Sequence, residues 1–134
     1  MSIKRFDHFF VFAEDIERTA RFYENALGLK RGVRPPFGFP GEWMYLDDHA
    51  IVHIGPANQS RSLRSTGPVG HIAFSGTDYQ AQMDRLSELQ IPVQVKKIPQ
   101  RHQYQIFFED PNGIRIEIDF PIETEMDIAR PDPA

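Results

Sequence analysis

The pattern of apolar and polar positions along the chain predicts two copies of one structural unit. A short apolar run with one histidine near its start covers residues 6–11, and the same arrangement returns 63 positions later at residues 69–74. Each run is followed by an acidic residue, Asp15 or Asp78, and then by apolar residues at helical spacing. Because self-similarity at a fixed offset is the signature of repeated units, we predict two modules with the same order of elements.

The predicted elements of the two modules follow the same plan of one strand, one helix and further strands. In the first module the strands are expected at residues 3–12, 43–46 and 50–54, with a helix from Asp15 to Gly28 and a loop rich in Gly and Pro at residues 30–40. In the second module the strands are expected at residues 69–75, 92–98, 103–109 and 114–120, with a helix that begins at Asp78.

These elements divide the chain into modules without requiring two independent domains. We expect one domain over residues 1–134, because half-size modules must share a core in order to be stable. Module one is predicted at about residues 3–55 and module two at about 69–120. A polar linker joins them at 56–68, and an acidic tail follows at 121–134.

Composition excludes several classes of function. The net charge is −4 and the sequence contains no basic cluster, so a nucleic-acid partner is not expected. No apolar run is long enough to span a bilayer, and the N-terminus lacks a secretory signal, which together predict a cytoplasmic protein without a membrane partner. Cysteine is absent, which excludes a disulfide framework and a cysteine nucleophile.

Four side chains that can bind metals occupy matching places in the two modules. His8 precedes His53 by 45 positions, and His71 precedes Glu117 by 46, so each module has one candidate on its first strand and one on its last. Two modules related by a pseudo-twofold axis would bring all four side chains to one point. Imidazole nitrogen and carboxylate oxygen suit Fe, Mn, Co, Ni or Zn, which predicts one divalent metal per site.

The combined motifs resemble the vicinal oxygen chelate superfamily, which contains glyoxalase I, extradiol dioxygenases, fosfomycin resistance enzymes and bleomycin resistance proteins. The matching text is Asp7-His8, then residues 21–29 (RFYENALGL), then Gly70-His71, and finally residues 110–113 (DPNG) leading to Glu117. The resemblance implies an α+β fold of two βαβββ modules that form a cupped mixed sheet around a metal, with helices on the outer face. It also implies that His8, His71 and Glu117 are metal ligands.

The roles of two candidate residues stay open at this point. His53 falls where relatives have a fourth ligand, usually Glu or Gln, so it is expected to bind metal, to act as a substrate-contacting acid or base, or to fill the cup. Glu117 is expected to serve as a ligand and as the catalytic base, and the alternative is a solvated carboxylate or a partner of Arg115. The predicted substrate pocket comprises Phe10, Arg34, Phe37, Trp43, Gln103, Gln105 and Phe107.

The resemblance implies a metal-dependent enzyme that chelates adjacent oxygens of a small-molecule substrate. Proton-transfer chemistry of the lyase or isomerase kind and extradiol ring cleavage by a dioxygenase are both consistent with the ligand set. The alternative is a metal-free protein of the bleomycin-resistance kind, which binds a drug or metabolite between aromatic side chains. Relatives with two modules per chain pair with each other, so a homodimer is expected.

Overall fold

The two predicted modules correspond to two compact units of the chain. A computed structural model describes residues 5–57 and 66–122. The chain divides into Met1–Arg64 and Ser65–Ala134, and each unit contains one α-helix and one four-stranded mixed sheet. In both units the order of elements is βαβββ, which confirms the predicted α+β class with paired modules.

The first unit has its terminal strands side by side. Its elements are β1 Phe9–Ala13, α1 Ile16–Leu27, β2 Lys30–Arg31, β3 Glu42–Leu46 and β4 His49–Pro56. The strand order is β1-β4-β3-β2, in which β1 and β4 are parallel and the other pairs are antiparallel. The first and last strands of the module are therefore neighbours at one side of its sheet.

Helix α1 begins and ends where the sequence predicts. The Asp15 side chain accepts a hydrogen bond from the Arg18 backbone N–H at 2.9 Å, and Gly28 ends the helix with a φ of 71°. That left-handed conformation is readily adopted by glycine. The face carrying Ala20 and Tyr23 is buried, as are Val11 and Val52 of β1 and β4. The opposite face of the sheet is thus left for His53 and its neighbours.

The second unit repeats this topology. Its elements are β5 Ile72–Ser75, α2 Tyr79–Glu88, β6 Gln94–Ile98, the short 3-10 helix Pro99–Arg101, β7 Gln103–Glu109 and β8 Arg115–Pro121. The strand order is β5-β8-β7-β6, again with the first and last strands parallel. Leu86 of α2 and the strand residues Ile106 and Ile116 are fully buried.

The turn between β7 and β8 sets the register that positions Glu117. The Asp110 carboxylate accepts hydrogen bonds from the backbone N–H groups of Asn112 and Ile114, each at 2.8 Å. Gly113 follows with a φ of 87°, a conformation that favours glycine. The resulting register places Phe107 opposite Glu117 and Gln105 opposite Asp119.

Several boundaries differ from the sequence-based expectation. Strand β2 lies within the predicted loop, and both His8 and His71 lie one residue before the strands in which they were expected. The first two residues of the predicted tail pack against the second unit. Ile122 is buried and donates its backbone N–H to the His102 backbone oxygen at 2.7 Å. The rest of the predicted tail, residues 123–134, and linker residues 58–65 lie outside the described part of the chain. None of the described helices is long and apolar enough to cross a membrane.

Candidate functional site

The four candidate metal-binding residues occupy equivalent register positions in the two sheets. His53 on β4 lies opposite Phe10 on β1, two residues after His8. Glu117 on β8 lies opposite Ala73 on β5, two residues after His71. Because side chains two residues apart share a strand face, each sheet brings its own pair of candidates to one face. The similar spacings seen in the sequence thus correspond to a shared geometry.

In the second unit, His71 and Glu117 are in direct contact. His71 Nε2 lies 2.8 Å from Glu117 Oε2, and the other carboxylate oxygen, Oε1, accepts a hydrogen bond from Gln105 Nε2 at 2.6 Å. Glu117 is 6% exposed, although most buried carboxylates need a partner to stay in the interior. Both of its oxygens are held in defined directions on the face of the sheet.

The surroundings of Glu117 favour its protonated form. Burial is the main cause that raises the pKa of Glu117, and the neighbouring Asp119 carboxylate raises it further, while His71 opposes the shift. Asp119 Oδ1 is itself buried with no hydrogen-bond partner among the described residues. Two carboxylates and one imidazole therefore lie together, with Glu117 buried and His71 open to solvent, an environment of the kind that tunes acid–base groups.

Phe107 lies next to this pair, and two cationic side chains pack on its ring. The Phe107 ring is 6.2 Å from the His71 ring in an edge-on arrangement. The Arg115 guanidinium lies 4.6 Å from the Phe107 ring centroid and the Lys96 ammonium lies 5.4 Å from it, both within cation–π range. Within residues 66–122 neither cation forms an ion pair with a carboxylate. The alternative considered for Glu117, a pairing with Arg115, is not formed in this arrangement, since His71 and Gln105 contact the carboxylate.

A recess of about 410 Å³ extends from Phe107 and Arg115 toward the segment after α2. Its lining residues are Ile91, Pro92, Val93, Gln94, Phe107, Phe108, Glu109 and Arg115. Of the predicted pocket residues in this unit, Phe107 lines the recess. Gln103, Gln105 and Phe107 alternate along β7, so they share one face of the sheet, the face that also carries Glu117.

In the first unit, His53 is stacked between two other rings. The His8 and His53 rings lie 3.7 Å apart with an interplanar angle of 13°, and the Trp43 ring lies 4.0 Å from the other side of His53 at 11°. His53 Nε2 lies 3.2 Å from the backbone oxygen of Ala50, which can only accept, so this nitrogen carries the hydrogen. Burial lowers the pKa of His53, and the charge of His8 lowers it further.

Asp7 and His49 surround the outer edge of His8. Asp7 Oδ2 lies 2.7 Å from His8 Nδ1, and this hydrogen bond is the main cause that holds the pKa of Asp7 below its usual range. His49 Nε2 lies 2.8 Å from the backbone oxygen of Asp7 and 3.3 Å from its Oδ1. Asp7 contacts His8 through Nδ1, so the other ring nitrogen of His8, Nε2, does not bond to this carboxylate.

The predicted loop residues of the first unit are engaged mainly with each other. The Arg34 guanidinium packs on the Phe37 and Phe39 rings at 4.9 and 5.1 Å and donates to the Phe39 backbone oxygen at 3.1 Å. Phe37 lies 6.2 Å from Trp43, which connects this loop to the His53 stack. Phe10 is 42% exposed and packs on Phe12 at 4.9 Å.

The donor types fit a divalent metal, but neither unit assembles a complete site by itself. Within the described residues of each unit, no three His, Cys, Asp or Glu side chains form a cluster that could hold a metal ion. The 2.8 Å between His71 Nε2 and Glu117 Oε2 is a hydrogen-bond distance, and it brings one nitrogen donor and one oxygen donor to the same point. Each unit therefore presents a partial set of nitrogen and oxygen donors.

Three residues in these surroundings were not recognised from the sequence. No role in the site was predicted for His49, Asp7 or Lys96. The sequence offers a signal only for Asp7, because a carboxylate next to a candidate ligand is a common hydrogen-bond partner for it. The other two contacts depend on strand register, which joins residues far apart in the chain.

Comparison with known proteins gives this arrangement its family context. The model of the glyoxalase/bleomycin resistance protein/dioxygenase superfamily matches residues 5–118, which is most of the chain. The chain belongs to this superfamily. The motifs that suggested the vicinal oxygen chelate resemblance thus identified the family correctly, and the two βαβββ units are in keeping with it.

Named members of the glyoxalase superfamily and its fold differ in what they do. The chain is 26% identical over 124 residues to the metallothiol transferase FosB of Lysinibacillus sphaericus (strain C3-41), covering 87% of this chain and 82% of the relative. Its fold is similar to that of the fosfomycin resistance protein FosX from Listeria monocytogenes, with a TM-score of 0.70, 15% identity, and coverage of 94% and 98% of the two chains. It is also similar to TnmS3, an antibiotic binding protein from Streptomyces sp. CB03234, with a TM-score of 0.68, 21% identity, and coverage of 90% and 98%.

Proposed function

We propose that the protein is a metal-dependent enzyme that binds adjacent oxygens of a small-molecule substrate on one divalent metal. His8, His71 and Glu117 are the proposed protein ligands. The observation that carries this proposal is the contact between His71 and the buried Glu117, because a carboxylate is costly to bury without a strong partner. The similarity to FosB, which is named a metallothiol transferase, supports metal-dependent chemistry in this superfamily.

In this proposal the residues of the second unit handle the proton. When bound, the metal would supply a Lewis acid that stabilises negative charge on two substrate oxygens. Glu117 accepts a proton at Oε2, and burial together with the neighbouring Asp119 raises its pKa, which makes it a stronger base than an exposed carboxylate. Gln105 keeps the carboxylate oriented through its bond to Oε1.

The proposed substrate carries an anionic group in addition to its adjacent oxygens. Lys96 and Arg115 flank the Phe107 ring without an ion-pair partner among residues 66–122, and Phe107 adjoins His71. A phosphonate, phosphate or carboxylate would neutralise both cations, and Arg and Lys are the usual partners of such groups. The similarity to FosX, a fosfomycin resistance protein, is compatible with a small anionic substrate.

The class of reaction depends on the native metal and on the functional groups of the substrate. A lyase, isomerase or group-transfer enzyme moves a proton or a bond on a carbonyl or epoxide-like substrate, with Glu117 as the base. An extradiol dioxygenase cleaves an aromatic ring and requires iron or manganese together with O₂. The first two substrate panels are therefore catechols and carbonyl compounds with adjacent oxygens, each also bearing a carboxylate, phosphate or phosphonate group.

The decisive experiment measures the metal content of protein purified without an affinity tag, by elemental mass spectrometry. We expect about one divalent metal per site and its loss in His71→Ala. His102→Asn is the matched control, because His102 has a φ of 51°, which asparagine tolerates, and lies outside the proposed ligand set. If no divalent metal can be loaded into the protein, the proposed enzyme function is wrong.

A metal-free binding protein is the second candidate, and the aromatic face of the first unit favours it. Trp43, His53 and Phe37 form a series of rings, and Phe10 is half exposed on the same sheet. Planar compounds stack on such surfaces. TnmS3, to which the fold is similar, is named an antibiotic binding protein. Tight binding of a planar compound by protein that takes up no metal would support this candidate.

Two further expectations from the sequence stay predictions. One is a homodimer, which light scattering coupled to size-exclusion chromatography measures directly. The other is a cytoplasmic location, which fractionation of the source cells measures.

A further inference from the structure

His8 is held by contacts on its edge and on its face within the first unit. On its edge, Asp7 Oδ2 lies 2.7 Å from Nδ1. On its face, the His53 ring lies 3.7 Å away and nearly parallel, and is itself supported by Trp43 at 4.0 Å. Together these contacts restrict both the rotation of the ring and the position of its proton.

The bond to Asp7 determines which nitrogen of His8 can bind a metal. An ionised carboxylate only accepts hydrogen bonds, so Nδ1 of His8 must carry the hydrogen and Nε2 keeps its lone pair. His49 holds Asp7 in turn, with Nε2 at 2.8 Å from the Asp7 backbone oxygen and 3.3 Å from Oδ1. A carboxylate behind a histidine ligand fixes the tautomer and strengthens the ligand.

The stacking geometry separates the roles of His8 and His53. An imidazole binds a metal through a lone pair in the plane of its ring. Since the two rings are face to face at 3.7 Å and tilted by only 13°, an ion in the plane of His8 would lie well outside the plane of His53. His53 Nε2 is also engaged with the Ala50 backbone oxygen at 3.2 Å.

We propose that His53 is a positioning residue that fixes the His8 ring by stacking and is not itself a metal ligand, while Asp7, held by His49, fixes the His8 tautomer. This inference rests on the proposed function, because it takes His8 to be a ligand. It assigns different needs to the two positions. Position 53 requires a flat ring, whereas position 7 requires a hydrogen-bond acceptor.

The test of His53 compares two substitutions by their effect on metal affinity. Affinity for Co²⁺ is measured by competition with a fluorescent chelator for the wild type, His53→Phe, His53→Ala and His8→Ala. We expect His53→Phe to bind within about threefold of the wild type, because phenylalanine keeps the stack, and His53→Ala to lose roughly 10- to 100-fold. If His53→Phe loses as much affinity as His8→Ala, His53 is a ligand and the inference is overturned.

The test of Asp7 reads the tautomer of His8 and does not depend on bound metal. Nitrogen-15 NMR of histidine-labelled, metal-free protein reports which ring nitrogen carries the hydrogen. We expect the Nδ1–H form of His8 in the wild type and in Asp7→Asn, which keeps an acceptor oxygen, and loss of that preference in Asp7→Ala. An unchanged tautomer in Asp7→Ala contradicts the role given to Asp7.

The two measurements also separate this inference from the proposed function. Wild-type protein that takes up no metal overturns the proposed function and, with it, the role given to His53. The other outcome is that the Co²⁺ affinity of the wild type depends on His8, and that His53→Phe binds Co²⁺ as poorly as His8→Ala does. In that case only the inference is overturned. Circular dichroism of each variant shows that the fold is intact before either conclusion is drawn.

Discussion

His71, one residue before β5, contacts Glu117 on the neighbouring parallel strand β8, with Nε2 and Oε2 separated by 2.8 Å. The carboxylate is buried and the imidazole is 46% exposed, so the pair opens toward solvent on the histidine side. A carboxylate that is buried, bonded at both oxygens and raised in pKa is more costly to the fold than a neutral side chain of the same shape. A function that needs a carboxylate, such as the proposed metal binding, would account for a costly side chain at this position.

Glu117→Gln separates the function of the carboxylate from its effect on stability. We expect metal affinity to fall by more than about 100-fold, because an amide is a much weaker ligand than a carboxylate. The metal-free variant should melt at or above the temperature of the wild type at pH 7, since the neutral amide avoids the burial of a charge.

The sign of the pH dependence of this difference follows from the raised pKa of Glu117. The favourable contribution of protonated Glu117 is present below its unfolded-state pKa and is lost as the pH rises through the folded-state value. The advantage of the variant in melting temperature should therefore vanish toward about pH 4, where the carboxyl is protonated in the unfolded chain as well. Scanning calorimetry across this range measures it, and a variant that is markedly less stable at pH 7 would contradict the prediction.

The cations on Phe107 should determine affinity for anionic ligands. We expect Arg115→Met and Lys96→Met each to weaken binding of phenylphosphonate by about three- to tenfold, because both keep the apolar stem and remove the charge. Chemical-shift titration measures the affinity, and benzyl alcohol is the uncharged comparison ligand. Arg85→Met, on α2 of the same unit and outside the lining of the recess, is the matched control and should bind like the wild type. Equal losses for phenylphosphonate and benzyl alcohol would argue against recognition of charge.

Two glycines of the loop before β3 are expected to respond differently to alanine. A Cβ at Gly41 would lie 2.4 Å from the backbone oxygen of Ile54, which the sheet cannot easily move, whereas nothing lies within 4 Å of a Cβ at Gly38. Gly41→Ala should therefore cost on the order of 1–3 kcal/mol of unfolding free energy. Gly38→Ala should stay within about 0.5 kcal/mol of the wild type. Urea denaturation of both variants measures the difference. Equal midpoints would show that the backbone of β4 at Ile54 moves to accommodate the added Cβ at position 41.

The sequence predicted the two sheets because the repeat itself marks the elements. The same offset links the histidines, the acidic helix caps and the apolar helical faces, so each module supports the assignment of the corresponding elements in the other. The short strand β2 was missed because two residues beside a loop rich in proline carry no pattern of their own. Its place is determined by tertiary contacts, above all by Arg31, which pairs with Glu17 at 2.7 Å and Glu24 at 3.0 Å on α1.

The details of the candidate site depended on register, which composition does not reveal. His53 was recognised as an unusual residue in an apolar strand, but its stacking between His8 and Trp43 follows from the pairing of β3 with β4 and of β4 with β1. His49 reaches Asp7, 42 residues away in the chain, for the same reason. The guanidinium of Arg34, a predicted pocket residue, packs on Phe37 and Phe39 of its own loop, and its role toward a ligand stays a prediction.

Complementation between two inactive variants tests whether a site is shared between chains of the expected homodimer. His8→Ala and His71→Ala should each lose bound metal when purified alone. If His8 of one chain serves the same site as His71 of its partner, each mixed dimer keeps one site with both histidines intact, since both substitutions then fall in the other site. Unfolding and refolding the two variants together would in that case restore metal binding.

If both histidines of a site belong to one chain, every chain in the mixture lacks one of them and no metal is recovered. Refolding each variant alone controls for contaminating metal, and refolding the wild type alone measures the yield of the procedure. Elemental mass spectrometry of the dimer fraction gives the metal content in each case. Recovery of bound metal in the mixture, but in neither variant alone, means that His8 and His71 of different chains serve one site. If the mixture recovers no metal while the refolded wild type is fully loaded, each site belongs to a single chain.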